Sequence, residues 1–166
     1  GTALQTETQQ PEAGTKLTFH HWLETRSGSE RATLARLWRL PELVAQSPHR
    51  LAEAMLNPAA IESMLSGLRP RERAALTLVQ QYGGTIAAPI LQREHGLVRS
   101  LAAFPNPREY LLALEQPPTP TERLWALGLL LTPRDHLRSY VIPHDLLALL
   151  PLVSPRQRQL QLATAP

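Results

Sequence analysis

Cysteine is absent from all 166 residues, so a disulfide framework, a zinc finger and an iron–sulfur site are excluded, leaving His and carboxylates as the only strong metal ligands. Lysine occurs once, at Lys16, so the other 16 basic residues are arginine. Apolar runs of 18 or more residues are also missing, which argues against a membrane span. Gly1-Thr2-Ala3 opens neither a basic nor an apolar leader, and the chain reads as soluble and cytoplasmic, without a visible signal peptide. Its Gly1 start in place of Met leads us to expect a fragment of a longer polypeptide. Aromatics make up 5% and β-branched residues are sparse. What remains is rich in Leu and Ala, within an apolar fraction of 43%. That composition predicts a mainly α protein whose stability comes from a packed core.

The prolines are placed, not scattered. Ser47-Pro48, Asn57-Pro58, Asn106-Pro107 and Thr119-Pro120 each set a capping side chain before a proline at the first helical position. Glu109 and Glu122 lie three residues after their caps, at the spacing by which a carboxylate reaches back to the cap amide. These signals predict helices near 48–56, 58–66, 107–115 and 120–127, and a further short helix is expected near 41–46. Ser27 with Glu30 opens another, and 17–25 is a short helix or a strap. We divide the chain into a flexible N-terminal segment (1–29), a helical subdomain (30–68), a second domain (69–152) and a C-terminal tail (153–166).

The second domain is the more informative. A helix led by Arg69-Pro70-Arg71-Glu72-Arg73 ends at Gly83-Gly84, Thr85-Ile86-Ala87 forms a short strand, and Pro89 to His95 forms a second helix stopped by Gly96. The Thr119-capped helix follows. Leu129 to Thr132, a polar turn over 133–138, and Ser139 to Ile142 then read as a hairpin. This is the winged-helix order, so the expected fold is a helical N-terminal bundle plus a winged helix-turn-helix with a small β-hairpin wing.

The stretch from Leu76 to Gly84, followed by Leu127-Gly128-Leu129-Leu130 and by Tyr140-Val141-Ile142-Pro143-His144-Asp145-Leu146, resembles the winged-helix region of bacterial helicase-associated domains. Those domains lie on the N-terminal side of the motor in helicases similar to the XPB type. In that family a helix ending in Gly-Gly begins the module, a Gly-Leu-Leu closes its third helix, and Tyr-Val-hydrophobic-Pro leads from the wing into a short Leu/Ala helix. The resemblance covers about residues 70–151. It implies an accessory DNA-contacting module of a larger helicase-like protein, with the motor domain as a partner. Residues 97–116, with their own capped helix, exceed the family's tight three-helix spacing.

Enzymatic signatures are missing: there is no phosphate-binding loop, no G-x-S-x-G, no H-E-x-x-H and no cysteine nucleophile. We expect no catalysis by this chain and no cofactor or metal. Glu94-His95 before Gly96 reads as a helix C-terminus where an imidazolium meets free carbonyls. Basic minus acidic counts are −1 over 1–29, +1 over 30–69 and +3 over 70–166. The positive excess thus falls in the winged half. Its third helix is expected to expose Thr121, Glu122, Arg123 and Ala126, and its wing tip Arg134, His136 and Arg138. Arg71 and Arg73 are expected to reach backbone phosphates from the first helix. Trp38, Trp125 and Tyr140 are assigned to the core. The alternatives are a protein-docking or oligomerisation module, carried by the Leu-rich helices of 41–68 or 143–151, and a winged-helix transcription regulator.

Overall fold

The computed structural model describes residues 17–134 and 138–154. In order the elements are α1 (Phe19–Glu24), α2 (Gly28–Leu37), a 3-10 turn (Glu42–Gln46), α3 (Pro48–Met55), α4 (Pro58–Ser66), α5 (Pro70–Gln81), β1 (Thr85–Ala87), α6 (Ala88–His95), a 3-10 turn (Leu101–Ala103), α7 (Pro107–Ala113), α8 (Pro120–Ala126), β2 (Ser139–Val141) and α9 (His144–Leu147). The chain is mainly helical with one small antiparallel sheet.

The proline-marked starts form as their chemistry dictates. The Ser47, Asn57, Asn106 and Thr119 side chains each accept a backbone N–H from the first turn they precede. A reciprocal capping box closes α2 through Ser27 and Glu30. The apolar stripe Ile61, Met64, Leu65 and Leu68 faces inward along α4 and its exit.

β1 pairs antiparallel with β2, Ile86 opposite Tyr140, and Leu131 adds a single bridge to Val141 on the other side of β2. The strand before α6 therefore docks on the last strand, and the segment leaving α8 flanks that strand's far edge. Gly84 carries the turn into β1 with φ +95, and its carbonyl accepts the Ile142 N–H at 2.8 Å.

One hydrophobic cluster runs through both halves, from Phe19 and Trp38 to Leu129, Leu130 and Ile142. The Trp38 indole donates to the Leu127 carbonyl at 2.9 Å. Helix α1 is packed rather than loose: Asp145 of α9 accepts the Phe19 N–H at 2.7 Å, and Phe19 is fully buried. Tyr140 and Trp38 are core as expected, while Trp125 packs partly exposed against the same cluster. No described helix is long and apolar enough to cross a membrane.

Candidate nucleic-acid interface

The helix expected to read a groove does not present the expected face. Thr121 and Glu122 are fully buried and Ala126 is 7% exposed. The long connection between α6 and α8 covers the Thr119, Glu122 and Trp125 side of α8. Arg99 clamps Glu122 with its backbone N–H at 2.8 Å and its guanidinium at 2.6 to 3.2 Å. The Leu97 carbonyl accepts the Thr119 hydroxyl at 2.8 Å, and the Trp125 indole donates to the Tyr110 hydroxyl of α7 at 3.3 Å. Glu122 was expected to bond back to its cap; its carboxylate is turned to Arg99 instead. The fork of a guanidinium offers more bonds than one amide. Thr121 is buried as well, and among the described residues its hydroxyl has no hydrogen-bond partner.

Arg123 is also drawn inward. Its side chain is 20% exposed, and its Nε stands 3.8 Å from a carboxylate oxygen of Glu72 on α5. The other expected contacts divide between two places. Arg71 and Arg73 are exposed near the start of α5, although the Arg73 Nε donates to the Leu65 carbonyl at 3.1 Å. Arg134 and Arg138 are exposed at the two ends of the turn between Leu131 and β2. His136 lies outside the described residues, as do Asp135 and Leu137. The Arg138 carbonyl accepts the Ala88 N–H at 2.7 Å, fixing the base of this turn against the start of α6.

His95 ends α6 with a side chain 14% exposed. Burial pushes its imidazole below the usual 6.5, Glu94 beside it opposes the shift, and Arg71 adds to the lowering. The neutral ring is therefore favoured, which corrects the imidazolium expected at this helix end. Because the unfolded chain binds this proton more readily, His95 supports the fold above about 6.5, and that support is lost as pH falls through the folded value. We expect Arg71→Gln to raise the His95 titration midpoint followed by NMR of the imidazole; an unchanged or lower midpoint contradicts the contact. Among the described residues no three His, Asp or Glu side chains are grouped to hold a metal.

Sequence reasoning missed Arg99, because nothing in Val98-Arg99-Ser100 signals a partner 23 positions away. It also missed two arginines near Gly67. Arg39 and Arg69 are exposed, and Arg69 lines a cleft of about 420 Å³ with Glu72, Glu115 and Arg123. A second, larger cleft of about 760 Å³ separates α2 from α7 and is lined by Ala32, Leu101, Leu111 and Leu112 among others.

No protein-family model matches the chain, and comparison with curated proteins and with solved structures returns no match.

Proposed function

We propose that the chain is a winged-helix module that contacts the backbone or shape of a nucleic acid, most simply DNA, as an accessory part of a larger helicase-like protein whose chemistry resides outside the described residues. The observation that carries this reading is the order α5, β1, α6, α8, Leu131 bridge and β2, with the 3-10 turn and α7 inserted between α6 and α8, and with β1 and Leu131 on opposite edges of β2. Arg134 and Arg138 then sit on the wing, with Arg71 and Arg73 on the first helix. The helicase-associated part of the reading is supported by the turn at Gly128, which ends α8 with φ +77 and leads into the fully buried Leu129 and Leu130.

The engagement of Thr121, Glu122 and Arg123 inside the protein favours backbone and shape contact over base reading. Two duplexes of equal length and unrelated sequence are therefore expected to bind with affinities within about threefold of each other in fluorescence anisotropy, since phosphate contacts carry no sequence information. A preference of about a hundredfold, or no binding to either at low salt, overturns this reading.

A docking module is the second reading, favoured by Leu101 and Leu112, which are 50% and 51% exposed in the cleft between α2 and α7. Self-association in sedimentation that Leu112→Asp abolishes would support it.

A further inference from the structure

Three arginines, Arg39, Arg69 and Arg123, line the clefts at Gly67, the residue that caps the end of α4, and Arg36 and Arg73 are held beside them by Glu115 and the Leu65 carbonyl. An Arg39 guanidinium nitrogen stands 3.6 Å from the position that a Cβ on Gly67 would occupy. Arg123 lines both clefts that touch Gly67, and Arg69 lines the larger of them. Arg73 is tied to the Leu65 carbonyl, two residues before Gly67. Arg36 is held at 3.1 Å to Glu115, which lines the same cleft.

The carboxylates nearby are already engaged. Glu72 is buried, accepts the Arg69 backbone N–H at 2.9 Å and lies 3.8 Å from Arg123. Glu115 and Glu42 both face Arg36. Five guanidinium charges against these three carboxylates leave an excess of two, and among the described residues Arg39 and Arg69 enter no ion pair.

The backbone at Arg39 gives a second and independent observation. Arg39 has φ 59, the one positive φ among the described non-glycine residues. It occupies the turn that closes α2, where the Leu40 N–H reaches back to the Ala35 carbonyl at 2.8 Å. Glycine is the residue that this position of a helix end favours. An arginine that enters no ion pair among the described residues stands there instead, with its guanidinium beside Gly67.

We propose that this junction binds the phosphates of a nucleic-acid backbone, with Arg39 and Arg69 as its free donors and Arg123 and Arg73 as a fixed floor. The proposal rests on the nucleic-acid reading above and adds a second surface to it, apart from the wing. Arginine suits the task because its planar fork meets two phosphate oxygens at once.

The test uses the full chain, a short labelled DNA duplex and anisotropy over a salt series. Arg39→Gly with Arg69→Gln is expected to weaken binding roughly tenfold at low salt and to flatten the log–log salt slope by about 1.8, two phosphate contacts' worth. Arg50→Gln with Arg93→Gln removes the same charge from exposed sites elsewhere and is expected to do much less. Arg39→Gly alone is expected to raise the melting temperature while lowering affinity, a divergence that a structural role for Arg39 would not produce. Equal losses in the two double variants, or a loss confined to Arg134→Gln with Arg138→Gln, overturn the phosphate site and leave the nucleic-acid reading standing. Failure of the unaltered chain to bind at low salt overturns both.

Discussion

Arg99→Ala is expected to lower the unfolding free energy by about 1–3 kcal/mol, the range for leaving a buried acceptor short of its partner. The two partners are unequal: the Glu122 side chain is 1% exposed and that of Arg99 is 37% exposed. Removing the arginine therefore takes the guanidinium bonds from a buried carboxylate and leaves it the Arg99 backbone N–H. The guanidinium also lies over the Phe104 ring, 5.0 Å from its centroid, so its loss loosens the connection that covers α8. Arg99→Lys should recover only part of the stability, because an ammonium cannot reproduce the fork onto both carboxylate oxygens. Urea denaturation measures both variants. A loss below about 1 kcal/mol for Arg99→Ala, the level of an exposed pair, would mean that Glu122 is hydrated and that α8 is not held by this clamp.

Gly128→Ala is expected to cost about 2–4 kcal/mol, combining the left-handed backbone penalty with overpacking of a filled core. At φ +77 any side chain is disfavoured, and a Cβ there would lie 2.8 Å from Cε1 of Phe19 and 3.3 Å from Cζ3 of Trp22. Phe19→Ala alone opens a cavity at a fully buried ring and is expected to cost about 3–5 kcal/mol. The two changes touch the same space, so the double variant should lose less than the sum, with a coupling of about 1–2 kcal/mol. Strict additivity would show that α1 does not press on the turn after α8.

The helix starts were legible because a cap and a proline act locally. Asn57-Pro58 and Thr119-Pro120 define their first turns without help from the rest of the chain. The strand Thr85–Ala87 was legible as a short extended piece, but its pairing with Ser139–Val141 depends on contacts between residues far apart in the chain, Thr85 opposite Val141 and Ala87 opposite Ser139. The interface was the least legible part. Periodicity indicated that α8 would show Thr121 and Glu122 to solvent, since both are polar, yet polarity says nothing about what a later or earlier segment brings to meet them. Arg99 arrives from outside the helix and turns a polar face into a buried one. The same limit hid Arg39, whose approach to Gly67 needs the exits of α2 and α4 packed together. Phe19 shows the converse, an aromatic in an expected loose segment that the core claims through Asp145, Trp38 and Gly128.

Everything proposed for the wing and the Gly67 junction requires that the unaltered chain bind nucleic acid through its charges. Anisotropy against single-stranded, duplex and forked DNA at two salt concentrations decides it. Binding to at least one of these structures is expected, weakening steeply with salt, with a slope of about −4 to −5 for duplex if about five phosphates are engaged. Absence of binding at low salt, or binding indifferent to salt, would contradict it.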